Sequence, residues 1–365
     1  MNTPKLRFKE FNDEWIETKI QNVATVIGGG TPSTDEPKYW GNEINWFTPS
    51  EIGKTKYVTI SNRKISQDGL KNSSAKLLPK GTILLSSRAT VGEASILLNE
   101  ASTNQGFQSL IVNENNCNEF IYYLKYKYKR EMLIKSFGST FLEISKSNVE
   151  NIKIKIPSKE EQLKVAKFLS LLDKKIELQS KKIEDLKLFK LCINNILFNG
   201  NKTVKLKDIC ECKSSTISLS DIEYDDGIYP IYGANGEIKK INSYQNDKDY
   251  LAIIKDGAGV GKTIICNKKS SIIATLSALI PNGIPVYYFN ELINKIDFSK
   301  YIVGSGIPHI YFKDYSNEKL YLHEEKKRIL INNLFKKIII KIELEENKLH
   351  LLETLKKGLM QNMFV

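Results

Sequence analysis

The stretch DGAGVGKT, Asp256 to Thr263, carries glycines, a lysine and a threonine at spacings that could cradle a nucleotide. A phosphate-binding loop has the pattern G-x-x-x-x-G-K-[ST], with backbone amides around the phosphates, the lysine on the terminal ones and a helix starting directly after it. Counting back from Gly261, Lys262 and Thr263, the position of the first glycine is taken by Asp256, whose carboxylate repels phosphate. The run Thr263-Ile264-Ile265-Cys266 is rich in β-branched residues and signals a strand where a helix would have to start. The reading is therefore a glycine-rich hairpin turn, with a P-loop NTPase as the lesser alternative.

Other catalytic constellations fare no better. His309, His323 and His350 fall on different element types, the last two on a long second helix, which leaves little for a histidine triad or cluster. The five cysteines, Cys117, Cys192, Cys210, Cys212 and Cys266, are too scattered for a disulfide framework, and Cys210-Glu211-Cys212 lacks a second pair to complete a zinc site. A nuclease could be forced from Asp225 and Glu237-Ile238-Lys239, but the first half has no counterpart. Neither an N/D-P-P-F/Y tetrapeptide for holding a target adenine nor a G-x-G cofactor loop after a strand is present. The chain reads as a binding protein, not an enzyme, with no metal site and no cofactor of its own.

A formal charge of +12 over 365 residues suits a polyanion, because clustered Lys and Arg displace the counterions condensed on nucleic acid. Part of that excess reflects a composition rich in Lys, Ile and Asn. The start, MNTPKLRFKEF, has no apolar segment of signal-peptide length, and no apolar run is long enough to span a bilayer. A soluble protein of a reducing cytoplasm is expected, with no membrane partner.

The elements that would position these residues are repeated. Residues 156–198 and 322–364 align without a gap at an offset of 166. A four-three alternation picks out Val165, Leu169, Leu172, Ile176, Gln179, Ile183, Leu186, Lys190, Ile193 and Leu197. The second copy gives Ile331, Phe335, Ile338, Ile342, Glu345, Leu349, Leu352, Lys356, Leu359 and Met363. Both stripes are apolar except at the same two places, Gln179/Glu345 and Lys190/Lys356, which two unrelated amphipathic helices would not share. Heptad seams of this length predict a coiled coil, and isolated polar seam residues fix register and partner. Each helix, about 40 residues and about 60 Å long at 1.5 Å per residue, outreaches a small domain.

Ahead of the helices lie two stretches of short β-branched and aromatic runs broken by Gly, Pro, Asn and Ser. The starting strands TKIQNVATV and VKLKDICEC correspond, ILLSSRATVGEASI (from Ile83) lies ungapped over AIIKDGAGVGKTII (from Ala252), and FGSTFLEIS lies over VGSGIPHIY. The expected order is a strand-rich domain (1–155), a helix (156–200), a second domain (201–321) and a second helix (322–365), an α+β fold with an internal pseudo-twofold.

The opening PKLRFKEFNDEWIETKI, the junction GSTFLEISKSNVENIKIKIPSKEEQLKVAKFLSLLDKKIELQSKKIEDLK and the ending LKKGLMQNMF resemble the specificity subunit of type I restriction-modification systems over essentially the whole chain. The second junction departs by lacking the proline after the strand and the EEQ run. The resemblance implies two target-recognition domains on an antiparallel coiled coil, each reading one half of a split site in double-stranded DNA. Half-sites about 10 bp apart would lie on one face of the duplex. It also implies partners: two methylation subunits carrying S-adenosylmethionine, docked on the outer helix faces, and restriction (motor) subunits using ATP and Mg. The glycine-, serine- and asparagine-rich loops nominate DNA-contacting candidates: Thr48, Ser50, Arg88, Thr90, Gln105, Ser139 and Thr140 in the first domain, and Tyr232, Asn235, Lys255, Lys262, Ser305 and His309 in the second. The rival reading is a coiled-coil scaffold without DNA readout.

Overall fold

The computed structural model describes residues 3–138, 142–222 and 227–365. The chain forms two compact units, one from residues up to 178 together with those from 349 onward, the other from residues 179–348.

In the first unit, β1 (Ile16–Lys19), α1 (Ile20–Val23) and β2 (Ala24–Gly28) lead into β3 (Trp40–Phe47), β4 (Tyr57–Val58), β5 (Arg63–Ile65) and α2 (Gln67–Lys71). β6 (Ile83–Leu85), β7 (Ala94–Leu97), β8 (Ser102–Thr103) and β9 (Gln108–Val112) come next, then α3 (Asn118–Ile134), α4 (Lys146–Glu150), β10 (Lys153–Ile156) and the long α5 (Lys159–Leu197). One sheet has the order β2-β9-β6-β7-β4, a second the order β5-β3-β8, and β1 pairs with β10. β6 is apolar at every position because both faces of its sheet are covered. Ile83 and Leu85 join Phe120, Tyr123 and Leu124 of α3 in one core, and Leu84 joins Phe47, Leu78 and Phe107 in another.

The second unit repeats this plan with β11 (Val204–Lys205), β12 (Cys210–Ser214), β13 (Tyr229–Gly233), β14 (Gly236–Ile241), β15 (Tyr250–Ile254), β16 (Thr263–Cys266), β17 (Ser271–Ile272) and β18 (Leu276–Pro281). α6 (Val286–Ile293), α7 (Phe312–Tyr315) and β19 (Lys319–Leu320) follow, then the long α8 (Glu325–Asn362); α5 and α8 each contribute residues to both units. Its sheets are β12-β18-β15-β16, β14-β13-β17 and β11-β19, so each pairing has a counterpart in the first unit. The class is α+β, as the composition of the two halves predicts.

Three sequence expectations need correcting. The starting strands are not continuous: α1 interrupts the first, burying Ile20 and Val23, and a 3-10 turn at Leu206–Asp208 interrupts the second. Residues three apart share a face only when the backbone coils. His323 precedes α8 and does not lie on it; its backbone N–H donates to the Tyr288 hydroxyl at 3.0 Å and its Nδ1 lies 2.9 Å from the same oxygen. Third, the ungapped superposition of the two central hairpins is out by one residue on its first strand. Leu85 pairs with Ala94 and Ile253 with Thr263, so Leu85 corresponds to Ile253, and the second turn is one residue longer.

α5 begins at Lys159, directly after Ser158, whose Oγ accepts the N–H of Glu161 at 3.4 Å as a helix cap. Within the first unit, Val165 and Leu169 share a core with Met360, Met363 and Phe364. Within the second, Leu186, Ile193 and Leu197 pack with Ile331, Phe335, Ile338 and Ile342. There the two helical segments run antiparallel, since Gln179 meets Glu345 while Phe198 meets Phe335. Leu172 and Ile183 are buried, and Ile176, Leu349 and Leu352 are half-buried.

The polar interruptions of the seam all have partners. Gln179 Nε2 donates to Glu345 Oε2 at 2.7 Å, and Gln179, Lys182 and Lys341 together hold the Glu345 carboxyl well below the usual range. Lys190 pairs with buried Glu291 at 2.7 Å and Lys356 with Asp173 at 2.6 Å. Among the described residues, no helix is long and apolar enough to cross a membrane.

Candidate nucleic-acid interface

In the first unit the turn from Ser86 to Glu93 joins β6 to β7. Ser86 N–H donates to Glu93 O at 2.9 Å, and Gly92 N–H to Ser86 O at 3.0 Å. Gly92 has φ +83°, and a Cβ there would stand 2.7 Å from Lys129 Cγ, so this turn needs glycine. Phe137, Glu143 and Ile144, between α3 and α4, lie against the turn: Phe137 and Glu143 exchange 2.9 Å backbone bonds, and Ile144 N–H donates to Ser87 O at 3.0 Å. Arg88, whose side chain remains partly exposed, pairs with Glu143 at 2.8 Å, and Lys129 with Glu93 at 2.5 Å.

Three other candidates gather beside this turn. Ser87 N–H donates to Gly106 O at 2.8 Å, which places the exposed Gln105 next to it, hydrogen-bonded to Thr31. Gly106 abuts Pro49, between Thr48 and Ser50. The Thr48 hydroxyl donates to Glu51 Oε2 at 2.7 Å and contacts Ser50, so Thr48 positions the loop and Ser50 stays exposed. Thr90 lies in the turn itself. Ser139 and Thr140 lie outside the described residues.

The second unit repeats the framework bond for bond. Ile254 N–H donates to Lys262 O at 3.0 Å, Gly261 N–H to Ile254 O at 2.9 Å and Ile310 N–H to Lys255 O at 3.0 Å, while Val303 and His309 exchange 2.9 Å bonds. Gly261 has φ +85°, and a Cβ there would meet Phe298 Cβ at 2.7 Å. Lys255, Lys262, Ser305 and His309 therefore converge on one turn. Asn235 is exposed at the tip of the β13-β14 hairpin. Tyr232 does not belong with them: it is 8% exposed and sits in the core with Tyr250 and Ile272, the counterpart of Phe47.

This framework rules out a phosphate cradle. The amides of Gly257, Val260, Gly261 and Lys262 donate to Pro308, Gly257, Ile254 and Gly259 carbonyls, and β16 stands where a helix would be required. Burial pushes the thiol of Cys210 up to about 12 and raises that of Cys212, keeping both neutral. Among the described residues no three His, Cys, Asp or Glu side chains converge as metal ligands.

Sequence reading missed Glu143, far from Arg88 along the chain, because only β-bridges bring the two together. These bridges also set the register. Arg88 and Phe137 both bridge Glu143, and Asp256 and Val303 both bridge His309. Arg88 thus stands where Asp256 stands, Glu143 where His309 stands and Glu93 where Lys262 stands: one framework with altered or reversed charge at each position.

A sequence profile described as type I restriction modification DNA specificity domain matches residues 12–188 and again residues 199–362, once over each half. The chain belongs to this family. The specificity subunit of type I restriction enzyme MjaIX from Methanocaldococcus jannaschii is 42% identical over 175 residues, 47% of this chain and 40% of that protein, so less than half of that relative's length is matched. The EcoprrI specificity subunit of Escherichia coli is 22% identical over 348 residues, 87% of this chain and 85% of its own. The solved S subunit of a type I restriction-modification system from M. genitalium shares the fold, with a TM-score of 0.71 at 19% identity over 100% of this chain and 99% of that one. The duplicated turn is thus a feature of a DNA specificity family member and not a nucleotide loop.

Proposed function

We propose that this chain is the sequence-specific DNA-recognition subunit of a type I restriction-modification complex in the cytoplasm. It reads a bipartite site, one half with each unit, and directs adenine-methylation and restriction subunits to it. It is not itself catalytic: S-adenosylmethionine, ATP and Mg belong to those partners. The observation that carries this reading is the duplicated turn, matched in backbone bonds and unmatched in charge. A carboxylate, a cation and an imidazole at equivalent places present different donors and acceptors, as reading two different base sequences requires.

A second feature supports two copies of one docked partner. Leu178 and Leu344 are each 59% exposed, Phe189 and Leu355 each 53%, and Phe168 and Leu334 each 39%. These pairs lie at the offset that relates the helices. Apolar exposure repeated position by position is a duplicated surface, and two methylation subunits fit it.

Selection of duplexes from a random-sequence pool by the full chain tests the reading. Two short defined runs with an unspecified spacer should emerge, Arg88→Ala relaxing only one run and Asp256→Asn only the other. A folded chain that enriches no sequence would refute it.

A further inference from the structure

Charge is reversed or altered around the duplicated turn, yet at one other pair of positions it is kept. In the first unit, β5 sets Arg63, Lys64 and Ile65 opposite Trp46, Asn45 and Ile44 of β3. In the second, β14 sets Lys239, Lys240 and Ile241 opposite Ile231, Pro230 and Tyr229 of β13. Trp46 lies beside Ser102 of a parallel strand and Ile231 beside Ser271, which fixes the equivalence. Arg63 and Lys64 therefore occupy the places of Lys239 and Lys240. The connection hides this in sequence: residues 48–62 separate β3 from β5, whereas only Ala234 and Asn235 separate β13 from β14.

Two half-sites of different sequence have the phosphate backbone in common and differ in their bases. Contacts that position a protein on DNA go to phosphates, and contacts that specify go to base edges. Positions whose charge is kept between the two units suit the first task, and positions whose charge changes suit the second. Building on the DNA reading proposed above, we infer that Arg63-Lys64 and Lys239-Lys240 are equivalent phosphate-backbone contacts. They grip duplex DNA of any sequence, while the Arg88/Asp256 and Glu143/His309 positions read bases.

Arg63 is preset for this role. Its side chain is exposed, and its guanidinium carbon lies 3.6 Å from the Trp40 ring centroid and 5.5 Å from that of Trp46. Stacking fixes the guanidinium plane and leaves its N–H edges facing outward. The platform is itself tied down: Trp40 Nε1 donates to Ser33 O at 3.0 Å and Trp46 Nε1 to Gly30 O at 2.9 Å. Gly30 N–H donates to Thr103 O at 2.9 Å, and Thr31 bonds Gln105, so the stacked arginine is built onto the rim that carries the turn. In the second unit, Lys239 Nζ donates to Ile222 O at 2.7 Å, which orients the ammonium.

The test is the salt dependence of binding of the full chain to a random-sequence duplex. Each lost phosphate contact lowers the slope of log affinity against log salt by about 0.9. Arg63→Ala with Lys64→Ala should lower it by about 1.8, and Lys239→Ala with Lys240→Ala by the same, so between about 50 and 200 mM salt the affinity of either variant falls about 12-fold less than that of the parent. The sequences enriched in a selection should be unchanged, and Arg63→Lys should keep the parent slope. Thermal midpoints matching the parent establish that the variants are folded. An unchanged slope, or an altered selected sequence, would overturn the inference while leaving DNA recognition intact. A parent chain without salt-dependent DNA binding would overturn the proposed function as well.

Discussion

Replacing Glu161 by glutamine should loosen the first unit where its domain joins α5. The Glu161 side chain is 2% exposed and accepts from Arg7 Nε at 2.8 Å, Arg7 Nη2 at 2.7 Å and Trp15 Nε1 at 3.3 Å. Glutamine keeps the shape, removes the charge and turns an amide N–H2 toward the guanidinium. Removing one partner of a buried ion pair costs about 3–5 kcal/mol. Arg7 retains 13% exposure, so the lower figure, about 3 kcal/mol, applies. For a unit of roughly 200 residues this lowers the midpoint by about 7 °C. Trp15, Trp40 and Trp46 all lie in the first unit, so thermal unfolding followed by tryptophan fluorescence reads that unit alone. Glu17→Gln, at the exposed pair with Lys153, is the control and should leave the midpoint in place. A fall below about 2 °C for Glu161→Gln, or an equal fall for the control, would refute the reasoning.

Lys125 is 7% exposed, and burial pushes its ammonium down to about 8. The unfolded chain holds that proton to about pH 10.4, so between those values unfolding takes up a proton and stability rises with pH. Lys125→Met should be more stable than the parent below about pH 8, the gap closing as pH climbs toward about 10; a constant gap in denaturant midpoints would contradict this. Lys262→Ala should weaken DNA binding or alter one half-site without touching ATP, and ATP binding by the parent that the variant loses would revive the nucleotide loop. Inserting one heptad into each long helix adds about 10 Å, so methylome mapping should show a spacer about three base pairs longer with the half-sites unchanged. An unchanged spacer would show that the helices do not set it.

Much of the helix pairing within each unit was legible because a heptad pattern is local and survives divergence. The shared interruptions were legible too, but not the partners of the lysines: Glu291 lies on a different element from Lys190, and no periodicity points to it. The junction run was legible only as a resemblance, and the reason for its Glu161, the Arg7 fork, depends on a segment distant in the chain. The second junction has Lys327 in that place, and His323 ahead of it meets Tyr288.

The slip between the two hairpins has a physical origin. Strands buried on both faces, such as β6 and β15, are apolar at every position and carry no alternation to mark register. Only the pairing of Leu85 with Ala94 and of Ile253 with Thr263 shows the added residue. The basic pair on β5 and β14 was illegible for a related reason, since connections of unequal length move it out of any fixed offset. Tyr232 was misplaced because its glycine-rich neighbours mark a turn while its ring faces the core.

The most direct test is to co-express the chain with its methylation subunits in a methylation-free host and map N6-methyladenine across the genome. A split motif with an unspecified spacer and one methylated adenine in each half is the expected result. An assembled complex that leaves the genome unmodified, or that marks a single undivided motif, would contradict the claim that two duplicated domains each read half of one site.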